Sequence, residues 1–461
     1  MGAGIADPVS AVVNGGWVAV YGMGYVGRVL AAAFLRRGLR VIGVDVDEGK
    51  LNDIRLGRVR FLEVGVEEAI AEGLRSGNLK LMSDAVEASR QSRVKVVTVP
   101  VLFNLSDKVV RLDAFVDALT SIAEGLGSGD LVVIESSVPP GTTERVAKSV
   151  LEAVSGLKAE DEFLLAYSPE RIYVGRALRD LEENYPKVVA GVGPKSLDAV
   201  ARLYSLISRK GVVRLSSTTA AEFEKLAEGV YRDVVIALSN ELALAAQALG
   251  INYYEVREAA NTQPHCHLLL PGPGVGGPCI PSYPYFLMGE VRKAGASMEL
   301  TRVARLINES MPSVVAGLAH KLVVRHGLRP RDVRVTILGD AFRGDIDDPR
   351  LSPTHDVISN LLSKGYGSIT VHDPLVTKDD YLSELGIDLT NDLRRALEGS
   401  SLVIVCVRHT AYVGLKVSSV VEASGREPLI VDAVNVLRDD IGYGAKGRLL
   451  TLGVGGLEKR P

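Results

Sequence analysis

Three cysteines in 461 residues, Cys266, Cys279 and Cys406, are too few and too scattered for a disulfide framework or a Cys-rich zinc site, which fits a reducing compartment. No uncharged apolar span reaches the ~20 residues that a membrane helix needs, and the opening MGAGIADPVS lacks the basic and apolar regions of a secretory leader. There is no long basic run and the formal net charge is -3, so nothing favours nucleic acid or a membrane surface as a partner. These absences point to the cytoplasm. What is present is a globular composition, 47% hydrophobic and 24% charged, at a length that suggests two or three domains.

The apolar run Trp17–Tyr21 reads as a strand, closed by Gly22-Met-Gly24-Tyr-Val-Gly27 and followed by Val29–Leu35 at helical spacing. The chain returns through Arg40–Val44 to Asp45, which stands 18 residues beyond Gly27. Gly22 makes the tight turn, Gly24 lets backbone approach a pyrophosphate, Gly27 permits close helix–strand packing, and Asp45 suits a ribose 2′-hydroxyl. At a strand–helix junction, with an acid ending the second strand, the pattern predicts a dinucleotide site that prefers NAD to NADP. Asp47 is the rival acid, read as a solvated loop residue. Further runs at Val94–Val99, Leu131–Ile134, Phe163–Ala166 and Lys187–Ala190 alternate with helical stretches, predicting a parallel sheet covered on both faces. Its ligand crevice would lie at the carboxyl ends of the strands, in Thr98-Val-Pro100, Glu135–Thr143 and Ser168–Ile172. Ser137 and Thr142 there are ligand contacts or turn and cap hydroxyls, and Glu170 taken alone is a surface carboxylate.

A long helix is predicted over Thr219–Leu249, with a capping box Thr219-x-x-Glu222, apolar residues at Phe223, Leu226, Val230, Val234, Leu238, Leu242 and Ala245, and Gly250 as its stop. At ~45 Å it is long enough to link two domains and carry a subunit interface. Lys225 is a solvated lysine or, facing a crevice, an acid or oxyanion donor tuned by the positive helix end. The loop Pro271-Gly-Pro-Gly-Val-Gly-Gly-Pro-Cys-Ile-Pro281 is neither helix nor strand, and its Cys279 is either an inert thiol in a tight turn or a reactive one.

Beyond it, Val303–Leu328 reads as helix, and Val333–Gly339, Ser368–Val371, Leu402–Val407 and Leu429–Val431 make a second α/β stretch without a GxGxxG pattern. Its loop Asp340–Arg350 offers Arg343 and Arg350 either to a diphosphate or to surface ion pairs. His265-Cys-His267 has divergent side chains and no fourth ligand at the usual spacing, so no metal is expected, and His320, His326, His355, His372 and His409 read as structural. The tail Gly453–Pro461 is expected to fray.

Six ordered motifs give these features a common source: Gly22-Met-Gly-Tyr-Val-Gly27, Ser137-Val-Pro-Pro-Gly141, Ser168-Pro-Glu-Arg171, Lys225-Leu-Ala-Glu with Asn240-Glu-Leu242, Gly272-Pro-Gly-Val-Gly-Gly-Pro-Cys279 and Arg350-Leu-Ser-Pro353. Through them the chain resembles the UDP-glucose/GDP-mannose dehydrogenase family over nearly its whole length, nearest the branch acting on UDP-N-acetylmannosamine. The resemblance implies an α/β fold of two Rossmann-like, doubly wound parallel-sheet domains joined by a long central helix. It divides the chain into an NAD-binding domain (1–215), a central helical domain carrying the cysteine (216–328) and a UDP-sugar-binding domain (329–461). NAD is the implied cofactor, a UDP-sugar the substrate, and a dimer about the long helix the assembly.

Catalytic roles are implied for Cys279, Lys225 and Glu170. Cofactor contacts are implied for Gly22, Gly24, Tyr25, Val26, Gly27, Asp45, Val99, Ser137 and Arg350, and substrate contacts for Glu170, Arg171, Lys225, His265, Gly276 and Arg343. The chain departs from the pattern at Gly229, where the family usually has Asn, at Pro278 in place of His, and at Tyr283 in place of an acid. Arg343 replaces a usual lysine, and His265 and His267 stand where the branch tends to carry Arg and Asn. Another UDP-sugar (UDP-GlcNAc, UDP-GalNAc or UDP-glucose) as substrate, or a non-catalytic sugar-nucleotide sensor, are the competing expectations.

Overall fold

The computed structural model describes residues 7–58, 63–104 and 108–455, so the first six residues of the opening and 456–461 of the tail lie outside the described residues. Two compact units divide at Glu228 and Gly229, within the helix Thr218–Leu249.

In the first unit eight strands run in the order Val212–Arg214, Lys187–Gly191, Leu164–Tyr167, Leu131–Ile134, Ser92–Val97, Trp17–Tyr21, Arg40–Val44, Leu79–Met82. Strand residues alternate between two cores. Val18, Val20, Val94 and Val96 pack on one face with the helix Tyr25–Arg36, while Trp17, Ala19, Tyr21 and Val97 pack on the other with Phe115 and Leu119. Burial on both faces is why these strands read as continuous apolar runs. The order reverses between Trp17–Tyr21 and Ser92–Val97, which opens a crevice at the carboxyl ends of that pair.

The sheet is not wholly parallel, as the sequence pattern suggests. Lys187–Gly191 pairs antiparallel with Leu164–Tyr167, Ala166 opposite Gly191. No crossover returns the chain to the start of the strand. After Tyr167 it passes through only two short helical turns, Ala177–Arg179 and Asp180–Asn184, and re-enters from the same end.

The second unit holds six parallel strands in the order Asp388–Thr390, Ser368–His372, Arg334–Leu338, Leu402–Val405, Leu429–Asp432, Leu449–Thr451. Its two cores also alternate, with Val335 and Ile337 against Val315 and Val357 on one face and Leu338, Val403 and Val405 against Val417 and Val420 on the other. Its switch point lies between Arg334–Leu338 and Leu402–Val405, where the loop Asp340–Arg350 departs.

The long helix differs from its prediction in two ways. Its cap is Ser217, whose Oγ accepts the Ala220 N–H at 3.1 Å, rather than Thr219. Glu222 does not close a capping box, because its fully buried carboxylate instead accepts the N–H groups of Gly141 and, at 2.7 Å, Thr143. The apolar stripe is largely turned outward in the single chain, with Phe223, Leu238, Leu242 and Ala245 exposed.

The face buried in the second unit is small and polar. There Asp233 pairs with Arg305 at 3.0 Å on the helix Glu299–Arg325. Asn308 donates to Asp233, and Asn240 donates to Asn308. A buried ionic network of this kind is silent in a hydrophobicity pattern. Gly453–Gly455 of the tail is likewise docked rather than frayed: Tyr253 N donates to Gly453 O at 2.9 Å and Gly455 N to Ile251 O at 3.0 Å.

Candidate functional site

The three glycines of the first loop divide their work as the motif requires. Gly22 has φ +98°, a left-handed turn that costs any other residue strain. A Cβ on Gly27 would lie 1.9 Å from Gly22 O, so helix and turn touch there backbone to backbone. A Cβ on Gly24 would meet nothing within 4 Å, which leaves open space beside the helix N-terminus for a pyrophosphate to approach.

Asp45, at the end of its strand, accepts the Met23 N–H at 2.9 Å and pairs with Lys50 at 2.9 Å. Asp47 proves to be the N-cap of the helix Glu48–Arg55 rather than a merely solvated residue. The Tyr25 hydroxyl donates to Glu63, which also accepts from Ala177 N, and Val26 is half-buried on the same turn. Val99 offers its carbonyl to Ser136 Oγ at 2.6 Å and Ser137 is half-buried next to it. Thr142 spends its hydroxyl on Pro139 O at 2.6 Å, a turn role.

Glu170 and Lys225, distant in sequence, are brought together: the Lys225 ammonium donates to the Glu170 carbonyl. The Glu170 carboxylate accepts the Ile172 N–H, and burial raises its pKa against the opposing pull of Lys225 and Lys187. Beneath this loop Lys187 donates to Pro169 O at 2.9 Å and to Glu135 at 2.8 Å, and the Tyr204 hydroxyl donates to Glu135. Sequence reasoning missed this buried support; the one available signal was an acid and a lysine at the ends of two apolar strands. Arg171 donates to Glu228 at 2.9 Å and lies over the Tyr185 ring at 5.1 Å.

In the second unit the Cys279 thiol is exposed, so the inert buried thiol is excluded. Its carbonyl accepts from Ser282 N and Tyr283 N, both at 3.0 Å, which fixes the loop where the helix Tyr283–Lys293 begins. Two of the loop glycines serve packing. A Cβ on Gly276 would lie 2.5 Å from Leu351 O, and one on Gly277 would lie 2.8 Å from the Phe342 ring.

Gly277 N donates to Arg350 O at 3.2 Å, and Cys279 is close enough to contribute to the field that, after Asp348, raises the Arg350 pKa. Arg350 itself is forked onto Asp348 at 2.6–3.0 Å. Arg343 is half-buried in the same loop, and His265 is exposed in a turn held by Gln263. Tyr283 and Gly229, both departures from the family pattern, prove to be partners: a Cβ on Gly229 would lie 2.4 Å from Tyr283 Cδ2.

A glycine turn between strand and helix with open space at Gly24 in one unit, and an exposed thiol on a braced loop in the other, fit a nicotinamide-dependent dehydrogenase. The chain belongs to the UDP-glucose/GDP-mannose dehydrogenase family. That family's NAD binding domain matches residues 17–208, its central domain 219–310 and its UDP binding domain 336–439, which makes the chain an NAD-dependent UDP-sugar dehydrogenase.

The UDP-N-acetyl-D-mannosamine dehydrogenase of Pyrococcus horikoshii is 33% identical over 423 residues, 92% of this chain and 96% of that protein. The enzyme of the same name from Campylobacter jejuni is 31% identical, over 88% of this chain and 98% of that one. The solved Pyrococcus horikoshii UDP-D-ManNAc dehydrogenase superposes with a TM-score of 0.86 at 30% identity, covering 95% of this chain and 99% of that one. An NDP-N-acetyl-D-galactosaminuronic acid dehydrogenase of Methanosarcina mazei Go1 gives 0.84 at 29%, covering 99% and 100%.

Proposed function

We propose that the chain oxidises the C6 alcohol of UDP-N-acetyl-D-mannosamine to the carboxylate, in the cytoplasm, as a step toward a surface glycan. The balance is one sugar alcohol, two NAD+ and one water giving one uronate, two NADH and three protons. The observation that carries this reading is the exposed Cys279 thiol in a chain of this family, since only the second oxidation needs a nucleophile. NAD, when bound, accepts the hydride of each oxidation.

The chain's own residues supply the rest. Gly24 would receive the pyrophosphate, on the turn made by Gly22 and closed by the packing at Gly27, and Asp45 would hold the ribose. Lys225 steadies the negative charge that develops on the C6 oxygen. Glu170, whose burial favours the protonated form, moves the proton and positions the hydrolytic water. Cys279 adds to the aldehyde carbon, because an aldehyde releases hydride only once a nucleophile makes it tetrahedral. The resulting thiohemiacetal is oxidised to a thioester, which water cleaves to free the thiol. Arg343 and Arg350 supply cationic forks for the diphosphate and the cofactor region.

NADH release from UDP-N-acetylmannosamine, compared with UDP-GlcNAc, UDP-GalNAc and UDP-glucose, tests the assignment. Two NADH per sugar, fastest with the mannosamine, is expected; folded protein that yields none with any of them would sink it. One observation favours a second reading, in which oxidation stops at the aldehyde: the Tyr283 ring and Gly229 fill positions where the family carries polar groups. One NADH per sugar would select it.

The exposed apolar face of the long helix supports a homodimer. Within the second unit Tyr231, Leu238, Leu242 and Leu249 are 62%, 43%, 38% and 63% exposed, a solvent cost that a second copy would relieve. Sedimentation of wild type against Leu238→Glu reads this directly, and a monomeric wild type would refute it.

A further inference from the structure

Asp340, His355 and Asp379 converge in the second unit from three separate segments, and their ligand atoms all lie within 4.8 Å of one another. Asp340 directly follows Gly339 at the end of the strand Arg334–Leu338, His355 sits in the first turn of the helix Pro353–Ser363, and Asp379 caps the helix Asp380–Glu384. His355 Nε2 is 2.6 Å from Asp379 Oδ2 and 3.4 Å from Asp340 Oδ1. The hydrogen bond of this ring nitrogen is to Asp379.

Asp340 is therefore left over. Its side chain is fully buried, and among the described residues neither of its oxygens has a hydrogen-bond partner. A buried carboxyl group without a hydrogen-bond partner is costly, and two carboxyl groups here face a single imidazole.

We propose that Asp340, His355 and Asp379 form a binding site for one divalent transition-metal ion of the zinc, cobalt or manganese type. One nitrogen and two carboxylate oxygens suit such an ion, whereas magnesium and calcium take oxygen ligands alone. At roughly 2.1 Å from each donor a tetrahedral ion needs donors about 3.4 Å apart. Asp340 already stands at that separation from Nε2, and the His355–Asp379 pair reaches it by opening less than about 1 Å. The proton between that pair goes to solvent as the metal–nitrogen bond forms, and water completes the coordination.

The outer partners are in place. The Tyr381 ring stacks on His355 with centroids 4.3 Å apart, its hydroxyl donates to His355 O at 3.0 Å, and its N–H donates to Asp379 Oδ1 at 2.8 Å. His355 keeps 16% of its side chain exposed, which gives the ion a way in. Bound there, the metal ties the root of the loop carrying Arg343 and Arg350 to two other segments. Read from sequence alone, His355 is structural and no metal is expected; the fold brings together residues that no spacing rule connects.

The full-length chain, stripped with chelator, is titrated with Zn2+, Co2+ and Mn2+ by calorimetry, and Co2+ binding is followed by absorption. Expected is one high-affinity equivalent per chain with a nitrogen–oxygen cobalt spectrum, a rise in Tm, and at least a hundredfold weaker binding in Asp340→Asn and in Asp379→Asn. No such equivalent in wild type overturns the proposal, as does binding unchanged in Asp340→Asn. A sulfur-to-cobalt charge-transfer band also overturns it, since that locates the ion at a cysteine. The spectrum is read on wild type, so the proposal stays falsifiable even where a variant fails to fold.

Discussion

Two glycine-rich loops lie in this chain, and they use glycine for different ends. In Gly22–Gly27 one glycine turns, one packs and one, Gly24, leaves empty space beside the helix N-terminus. In Pro271–Pro281 the glycines at 276 and 277 are filled against by Leu351, Pro353 and Phe342, so this loop is braced by its neighbours and presents a side chain, the Cys279 thiol. Glycine content alone does not separate a cradle from a brace. What a Cβ would touch does.

The comparison can be sharpened by experiment, beginning with the largest effect. Cys279→Ser should leave the first oxidation and NAD binding in place while slowing the second by about 10³-fold, roughly 4 kcal/mol; two NADH per sugar from that variant would remove the thiol from the mechanism. Gly27→Ala should destabilise the first unit by roughly 3 kcal/mol, because backbone has to shift to clear the Gly22 carbonyl. An unchanged denaturation midpoint would contradict the packing described.

Gly229→Ala should cost about 2 kcal/mol by forcing aside the Tyr283 ring, and the same substitution made in a Tyr283→Ala background should cost little. Additive losses in that cycle would show that the two positions are independent. Glu222→Gln probes the contact from the long helix to the Gly141–Thr143 turn. Burial raises the Glu222 pKa from 4.5 to about 7, so the stability it contributes is complete below pH 4.5 and lost as pH rises through about 7. The variant should therefore gain on wild type across that window, by about 3 kcal/mol at pH 8, and parallel Tm profiles would refute this. Smallest is Gly24→Ala, which should leave Tm unaltered and weaken NAD by about tenfold, ~1.4 kcal/mol. Equal loss of fold and affinity would make Gly24 a brace after all.

The sequence showed most clearly what repeats along the chain. Trp17–Tyr21 and Arg40–Val44 fall where the apolar runs place them, because strands buried on both faces leave an uninterrupted signal. Partnerships across the chain left no such signal. Glu222 looks like a capping-box acid until Gly141 and Thr143 are seen to claim it. The apolar stripe of the long helix was visible but its direction was not, since periodicity locates a face without saying what covers it. Lys225 and Glu170 are 55 residues apart and meet only because the Ser168–Ile172 loop turns back toward the helix. The antiparallel return of Lys187–Gly191 was hidden because a buried strand reads the same in either direction.

The contact between Gly229 and Tyr283 also constrains which substitutions the chain tolerates. A side chain at 229 and the aromatic ring at 283 claim one space, with only 2.4 Å between a Cβ and Cδ2. With the ring seated at 283, any side chain at 229 meets a collision, whereas glycine at 229 leaves room for it. Placing asparagine at 229 alone would therefore be punished, and the two positions can be exchanged only as one unit.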